Sequence, residues 1–473
     1  MGSKMKKWLL IVVGTIVWSL TMVRSGICWD AQCASGVGFL GANGHDGIWH
    51  IALINRLSEL PFMVPVFAGY TLQNYHIGFD LLVFLINQVT RLPITLLYFQ
   101  ALPPIFAFLI GLLTYKFVLL WTKSIRSSLY AVTFVYFGGG FGWLVTLLRN
   151  GTFDGESMFW SQQAISTLIN PPFALSLIFV LLGLICLQKK KLFLAILFFG
   201  VLVEIKIYAA ILVLIGLFFS KNFKVFLGTL FLCLILFAPS LGTSSKLLVW
   251  QPFWFLETMM GLSDRFGWTK FYSAMTTYRM GGIWVKAIIA YGVAFLIFLV
   301  GNMGTRIIFL KDVFKKLNSI KTLIISVISA GILIPMFFLQ KGTPWNTIQF
   351  FYYSLFFSGI LAGISVSRIV HNSSFMILVV MLTVPTTIGA MKHYLPKNPP
   401  AALSRAELEA LKFLKFQPNG GVLTYPFDAV KAKEAEANPP RPLYLYDSTA
   451  YVSAYSNKIT FLEDQVNLDI TGY

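Results

Sequence analysis

Ionisable residues gather in one part of an otherwise apolar sequence. His45, Asp46 and His50 lie close together, and His76 and Asp80 follow within the same predicted loop. A positioned carboxylate can take the proton from a hydroxyl group and make that group a nucleophile, and a dry membrane boundary can raise its pKa toward the working range. Asp46 and His50 share one face of a helix, as do His76 and Asp80, because each pair has i,i+4 spacing. The stretch therefore predicts a pocket for general-base chemistry.

The same residues leave other interpretations open. Asp46 could cap a helix, with the base elsewhere, for instance at Asp30 or Asp154. The histidines and carboxylates could hold a divalent metal, although no tight metal motif is present. His76 and Asp80 could simply hydrogen-bond to each other. The sequence requires no cofactor, and a divalent metal stays an open alternative.

Composition identifies the class of protein that must position these residues. The chain has 473 residues, of which 57% are hydrophobic and 12% charged, and its mean hydropathy is +0.73. Such a chain is too apolar for a soluble protein and has repeated runs long enough to cross a bilayer. Its formal charge of +18 falls mainly in clusters on one side of the predicted helices. That bias orients membrane helices and gives no indication of nucleic-acid binding.

The apolar runs predict an all-α polytopic membrane protein with about eleven transmembrane helices and the N-terminus inside. Segment 77–90 is predicted to be a juxtamembrane or re-entrant helix, because a crossing there would invert every later basic cluster. Glu204 and Lys206 indicate two short helices meeting at an outer turn within 192–220, since one span would bury both charges at the bilayer centre. The other predicted crossings are at about 8–23, 95–120, 127–148, 172–188, 225–239, 283–300, 322–339, 347–367 and 375–391.

Three parts follow from this pattern: a seven-helix module at 1–240 with a first outer loop at 24–93, a second outer loop plus four helices at 241–391, and a small α+β outer domain at 392–473. In the last part, Ser404 and Glu407 form a capping-box pattern. Short strands are predicted at 421–424, 442–446 and 458–462. The final residues carry no obvious stop, which leaves open a truncated tail. Cys28 and Cys33 are close enough for a small disulfide.

Several patterns are distinctive: Asp46…His50…Pro61…Pro65…Gly69…Tyr75-His76…Gly78, Asn170-Pro171-Pro172 and Trp345-Asn346-Thr347-Ile348-Gln349-Phe350. With an acid shortly after the first helix and a second long loop after the seventh, the chain resembles the GT-C superfamily of integral-membrane glycosyltransferases. That superfamily includes protein O-mannosyltransferases, aminoarabinose transferases and uncharacterised bacterial multi-pass proteins. The resemblance covers most of 1–391 as topology, and at residue level it centres on Asp46.

The resemblance implies transfer of a sugar from a polyprenyl-phosphate donor on the outer side of the membrane, with inversion at the anomeric carbon. The first-loop Asp of the family is the general base, and that role falls on Asp46. His50, His76 and Asp80 are expected to contact substrate. Many relatives place a second acid directly after the Asp, whereas Gly47 stands here, and the tryptophan-rich signature of the oligosaccharyltransferase branch is absent.

The leaving group of such a reaction is a phosphate anion, so cationic residues should offset its charge. Outer-side candidates are Lys206, Arg265 and Arg279. Lys206 could instead form a structural ion pair with Glu204. The tryptophans in 250–268 are more typical of an interfacial belt than of a sugar-stacking surface.

A transporter or lipid flippase is the alternative from another functional class. It would use the same embedded charges as a substrate path, and it predicts internal repeats and access from both faces. Under the glycosyltransferase hypothesis, the expected partners are a polyprenyl-phosphate-linked sugar, membrane lipid and an unknown glycan, lipid or protein acceptor. The predicted location is the plasma membrane, with the C-terminal domain outside.

Overall fold

The computed structural model describes residues 3–34, 36–240, 248–340, 343–369, 373–418, 420–425 and 427–471. Residues 241–247, at the start of the predicted second outer loop, lie outside this described part. So do residues 472–473 at the end of the predicted tail domain.

Most of the described chain is helical. The first half contains α1 (Ser3–Ser19), α2 (Asp46–Arg56), α3 (Gly78–Thr90), α4 (Ile94–Leu96), α5 (Leu102–Thr122), α6 (Ile125–Phe137), α7 (Gly142–Asn150), α8 (Pro171–Gln188), α9 (Leu192–Gly200), α10 (Leu202–Ile205), α11 (Ile207–Phe219) and α12 (Phe223–Phe237). The second half contains α13 (Trp254–Gly261), α14 (Thr269–Met280), α15 (Trp284–Met303), α16 (Ser319–Phe337), α17 (Gln349–Ile369), α18 (Ser373–Thr383), α19 (Pro385–Tyr394), α20 (Arg405–Lys415), α21 (Ala429–Ala437), α22 (Tyr451–Ser456) and α23 (Gln465–Thr471).

The strands are short and join distant parts of the sequence. They are β1 (Ile27–Cys28), β2 (Val37–Phe39), β3 (Leu248–Trp250), β4 (Phe338–Gln340), β5 (Ala401–Leu403), β6 (Gly421–Leu423), β7 (Arg441–Pro442) and β8 (Ile459–Phe461). One sheet has the order β1-β2-β5-β7, and two-stranded sheets join β3 to β4 and β6 to β8. In the largest sheet β2 runs antiparallel to β5, with Val37 opposite Leu403. The first outer loop and the tail therefore share a sheet.

Length and apolarity allow six helical segments of the described chain to cross a membrane, or seven if the pair α6 and α7, bent by 46°, forms one span. Four further apolar helical segments are shorter, at Gly78–Thr90, Leu192–Ile205, Ile207–Phe219 and Phe223–Phe237. The structure agrees with a mostly helical polytopic membrane protein. The count of eleven crossings and the orientation stay predictions.

Two local predictions match the helix bounds. The segment predicted as a juxtamembrane helix forms α3, whose 13 residues fall short of the roughly 20 that span a bilayer. The segment 192–220 is broken, and Lys206 lies between α10 and α11 in an extended conformation, with φ −162° and ψ 102°. At this break the N–H of Lys206 still donates to the carbonyl of Leu202 over 2.7 Å, and the side chain of Lys206 reaches the site described below.

Helix α17 lies at the centre of the bundle, and most of its residues are buried. It packs closely on α6, where a Cβ at Gly363 would lie 2.3 Å from the backbone nitrogen of Ala131. Only glycine permits this approach of the two helices.

Most of the local structure that the sequence predicts for the tail is present. The capping box of Ser404 and Glu407 is present at the start of α20, and the predicted strands at 421–424 and 458–462 appear as β6 and β8. The prediction at 442–446 is wrong beyond its first residue, since β7 ends at Pro442 and a 3-10 turn follows. Proline has no N–H for a strand ladder, which favours this early end.

The tail packs on the first outer loop. Asn55 donates to the carbonyl of Ala454 over 2.7 Å, and Ser453 donates to the carbonyl of Pro65 over 2.9 Å. The loop also contains the predicted disulfide between Cys28 and Cys33.

Candidate functional site

A cavity of about 320 Å³ lies where the first outer loop, the helix bundle and the tail meet. The loop contributes polar and aromatic side chains, the bundle contributes amides, one lysine and apolar side chains, and the tail covers the remainder. Its wall includes His45, Asp46, Trp49, His50, Asn74, Tyr75, His76, Asn170, Lys206, Tyr208, Ile211, Phe237, Leu248, Gln340, Asn346, Gln349, Ser448, Val466, Asn467 and Ile470.

Asp46 is the first residue of α2, and its side chain is 57% exposed at the cavity. Its Oδ1 lies 2.8 Å from His45 Nδ1, which leaves Oδ2 for the cavity. His45 occupies the N-cap position, and no side chain makes a capping hydrogen bond there. The alternative role of Asp46 as a helix cap is therefore not supported.

The pKa of Asp46 differs in direction from the sequence expectation. The surrounding protein displaces water and would alone raise this pKa, but the charge and hydrogen bond of His45, together with the charges of His50 and Lys206, bring it below its usual value. Displacement of water also opposes charging of His45, yet Asp46 raises the pKa of His45 overall. The site therefore holds Asp46 as a carboxylate beside an imidazole that gains a proton readily.

Gly47 is buried against aromatic rings. A Cβ at this position would lie 3.0 Å from Phe99 Cε1 and Cζ, and 3.3 Å from Tyr98 Cε1. A carboxylate side chain here would meet an apolar wall. The second acid that many GT-C sequences carry directly after the Asp would press on these two rings in this chain.

His50 and Asp80 form a buried pair, with His50 Nδ1 2.7 Å from Asp80 Oδ1. Asp80 is fully buried and His50 is 7% exposed. The imidazole is stacked near Tyr98 and meets Phe79 edge-on. The alternative pairing of Asp80 with His76 is wrong, since α3 begins after His76 and Asp80 bonds to His50.

His76 lines the cavity as a neutral ring. Burial and the nearby charge of Lys206 lower its pKa to about 3. Its Nδ1 has no hydrogen-bond partner within the described part of the chain. His76 can therefore contact a substrate without adding charge to the site.

Lys206 reaches the cavity from the break between α10 and α11 and is only 6% exposed. Its Nζ donates to Asn170 Oδ1 over 3.4 Å and lies 5.3 Å from the Tyr208 ring centre. One carboxylate oxygen of Glu204 has no hydrogen-bond partner within the described residues, and Lys206 is directed to Asn170 instead, so the structural ion pair does not form. Among the described residues that line the cavity, Lys206 is the one lysine or arginine.

Arg265 and Arg279 lie elsewhere, and neither is among the lining residues. Arg265 donates to Ser157 Oγ over 2.9 Å and covers the Trp160 ring, while Arg279 pairs with Glu257. Both belong to the segment of α13 and α14, which packs on α15. The prediction that Arg265 and Arg279 bind the phosphate of the donor is therefore wrong for this cavity.

Sequence reasoning missed a row of amides on the bundle side. Asn170 donates to Gln349 Oε1 over 3.5 Å, and Gln349 donates to Asn346 Oδ1 over 3.1 Å. Tyr208 donates to Gln340 over 2.7 Å. Two of the distinctive sequence patterns supply the first three residues, so amides repeated in such patterns were the available signal.

The histidines and acids do not make a metal-ligand set. Within the described ranges, no three His, Cys, Asp or Glu side chains come together as metal ligands. Asp46 and Asp80 are each already engaged by a histidine.

The fold can be compared with solved structures. Over 96% of its length, the chain matches the Archaeoglobus fulgidus oligosaccharyltransferase AglB in complex with an inhibitory peptide and a dolichol-phosphate, with TM-score 0.50 and 13% identity. The chain has the GT-C fold. A second structure of that enzyme, tethered to an acceptor peptide, matches over 96% of the chain and 63% of its own length with TM-score 0.47 and 12% identity.

The GT-C match concerns the fold of the chain. This chain covers 64% of the AglB chain in the first of these structures, so it spans less than two thirds of that enzyme. No protein-family model matches the chain, and no curated protein matches it either.

Proposed function

We propose that this protein is a membrane glycosyltransferase that moves a sugar from a polyprenyl-phosphate donor to a hydroxyl acceptor on the outer face. The observation that carries the proposal is that one cavity holds a histidine-paired carboxylate, Asp46, and a single lysine, Lys206, among its described lining residues. A carboxylate can deprotonate an acceptor, and a cation can offset a leaving phosphate. The AglB structure with TM-score 0.50 holds a dolichol-phosphate, which belongs to the proposed class of lipid carrier.

In the proposed reaction, Asp46 acts on the acceptor hydroxyl and Lys206 acts on the leaving phosphate. Asp46 Oδ2 takes the proton of the acceptor hydroxyl while the acceptor oxygen forms a bond to the anomeric carbon of the sugar. The bond between that carbon and the phosphate oxygen breaks, and polyprenyl phosphate leaves as an anion. Attack from the side opposite the phosphate inverts the anomeric centre. Lys206 offsets the charge that develops on the phosphate.

The residue types in the cavity wall also support a lipid-linked donor. Beyond Lys206 and Tyr208, the wall is formed by Ile211, Phe237 and Leu248. An apolar wall next to a lysine fits a molecule with a phosphate head and a hydrocarbon chain. The amides of Asn170 and Gln349, beside Lys206, can donate hydrogen bonds to phosphate or sugar oxygens.

The test is the conservative variant Asp46→Asn in a strain that lacks the native gene, with lipid-linked and acceptor-linked glycans measured by mass spectrometry. Loss of a general base lowers the rate by about 100-fold to 10,000-fold, so the product should disappear at normal protein levels. Asp264→Asn is the control, since Asp264 is 66% exposed and does not line this cavity. Full product with Asp46→Asn would sink the assignment of the base. The fold match does not favour the transporter or flippase alternative.

A further inference from the structure

A smaller cavity lies next to the first one and is lined by a buried arginine. Its volume is about 30 Å³, and its wall includes the polar residues Gln162, Asn170 and Arg306 and the apolar residues Phe134 and Leu355. Asn170 also lines the larger cavity, whereas Arg306 does not. Arg306 is only 2% exposed. The helix bundle therefore contains a buried cation that the proposed reaction does not use.

The guanidinium of Arg306 donates only to neutral groups. Its Nε donates to the carbonyl of Met303 over 3.1 Å, and its Nη2 donates to the carbonyl of Asn302 over 3.0 Å and to Gln163 Oε1. Within the described part of the chain, Nη1 has no hydrogen-bond partner. The two carbonyls lie at the C-terminal end of α15, which carries about half a unit of negative charge. The helix end thus offsets only part of the charge on Arg306.

No acid of the described ranges neutralises the rest of this charge. Glu156 belongs to the same network, but it accepts from the backbone N–H of Gln163 over 2.9 Å. The protein acts on the charge of Arg306 through displacement of water, with no contribution from a carboxylate. A buried charge is costly unless it is paired. A negative partner at Nη1 would therefore stabilise the fold.

The wall of the smaller cavity is compatible with such a partner. The amides of Gln162 and Asn170 can provide N–H donors beside the guanidinium. Of the two hydroxyls in the wall, that of Ser166 pairs with the Tyr394 hydroxyl over 3.0 Å, and that of Thr167 donates to the carbonyl of Ala164 over 2.7 Å. Among the described residues that line this cavity there is no carboxylate. An anion at Nη1 would therefore meet no like charge.

The volume of the cavity restricts the partner to a small ion. One water molecule requires about 10–15 Å³, so a phosphate ester or a sugar does not fit. A water molecule fits and can accept from Nη1, but it would leave the charge of Arg306 uncompensated. Chloride is small enough, accepts hydrogen bonds and carries the opposite charge.

We propose that this cavity binds one chloride ion, held by Nη1 of Arg306 and by the amides of Gln162 and Asn170. The ion is the counter-ion of Arg306, and it stabilises the packing of the loop that carries Gln163 on the end of α15. This site lies outside the proposed catalytic chemistry, and its role is structural.

The test measures the unfolding temperature of the full chain in nanodiscs while sodium gluconate is replaced by sodium chloride at constant ionic strength. A ligand that binds only the folded state raises this temperature as its concentration increases. We expect a saturable rise of roughly 2–4 °C, and a similar rise with bromide. An unfolding temperature that does not depend on chloride would overturn the proposal, because water alone would then fill the cavity.

Two variants locate the ion. Arg306→Gln removes the charge and should abolish the chloride effect. Gln162→Glu keeps the size of the side chain and brings a carboxylate to the wall, so it should replace the ion as partner of Arg306. Its unfolding temperature in gluconate should equal or exceed that of the unmodified chain, with no further rise in chloride. This second variant tests the site even if Arg306→Gln does not fold.

The control is Arg405→Gln, which removes an arginine whose side chain is 63% exposed and which pairs with Glu409. It should keep the full chloride effect and so accounts for general effects of salt on the protein. A chloride effect that persists in Gln162→Glu would place the ion elsewhere and would overturn the assignment of this cavity.

Discussion

His50, which lines the cavity, and the fully buried Asp80 join α2 to α3 through a hydrogen bond of 2.7 Å. The second oxygen of Asp80 is buried and has no hydrogen-bond partner in the described ranges. His50 is therefore the side chain that compensates this carboxylate at close range. Since α2 also carries Asp46, the pair fixes the helix on which the proposed base lies.

Breaking this pair should cost stability, and the two losses should not add. His50→Gln and Asp80→Asn are each expected to lower the free energy of unfolding by about 1–3 kcal/mol, because the remaining partner stays buried and unpaired. A double-mutant cycle by denaturant unfolding in detergent should give a coupling energy of about 0.5–3 kcal/mol.

The control cycle uses His393 and Asp154, which lie 3.4 Å apart with His393 67% exposed. That pair should give a coupling of at most about 1 kcal/mol. Simple addition of the His50 and Asp80 effects would contradict the coupling.

His45→Gln should change the pH dependence of transfer. His45 lowers the pKa of Asp46, and Asp46 must be ionised to accept a proton. Without the imidazole this pKa rises, so the acid limb of the pH–rate profile should move to higher pH. The profile is measured in nanodiscs with membrane-extracted donor, and His393→Gln serves as control. An acid limb that stays in place or moves to lower pH would exclude this role for His45.

Lys206→Met should weaken use of the donor by about 10-fold to 100-fold in kcat/KM, the range for a lost charge-assisted hydrogen bond. Lys206→Arg keeps the charge and should recover part of the rate. The control Lys270→Met removes an exposed lysine outside the cavity wall. If Lys206→Met and Lys270→Met behave alike, Lys206 does not contact the donor phosphate.

Docking of the tail should weaken as pH rises. Burial raises the pKa of Glu463 to about 8, despite hydrogen bonds from Val452, Ser453 and Thr460, and raises that of Asp464 to about 7. Both values lie above those of the unfolded chain, so the folded tail holds more protons, and its stability is lost as pH rises through these values.

Hydrogen exchange in 448–471, corrected for intrinsic rates, should therefore be faster at about pH 9 than at about pH 6. Glu463→Gln should reduce this difference, whereas Glu409→Gln, at an exposed residue of α20, should not. Greater protection at high pH would show that the two acids do not control docking.

The sequence predicted the parts of the site that depend on local spacing. The approach of Asp46 and His50 follows from one helical turn, and the charges at Glu204 and Lys206 predicted a break in a hydrophobic segment. The pairing of Asp80 with His50 rather than His76 depends on where α3 begins and how it packs, which local spacing does not determine. Local spacing also does not determine the position of Arg265, whose loop packs away from the cavity.

Contacts over long sequence separations were the hardest to predict. The pattern at 392–473 predicted a small outer domain but gave no sign that its residues complete the wall near Asp46. Strand β5 pairs with β2 through three residue pairs. So short a pairing leaves no recognisable pattern in the sequence. The sequence likewise gave no reason for a glycine at position 47 in place of an acid. In the fold, the rings of Tyr98 and Phe99 lie against Gly47, which favours a residue without a side chain.

The sheet that joins β2 to β5 has a consequence for biosynthesis. The loop that carries Asp46 is made early by the ribosome, whereas partners such as Ala454 follow 399 residues after Asn55. During translation, β2 has no strand partner on this edge until the residues of β5 have been synthesised. The cavity wall is thus completed only when the tail has been synthesised, after the helices that precede it have emerged from the ribosome.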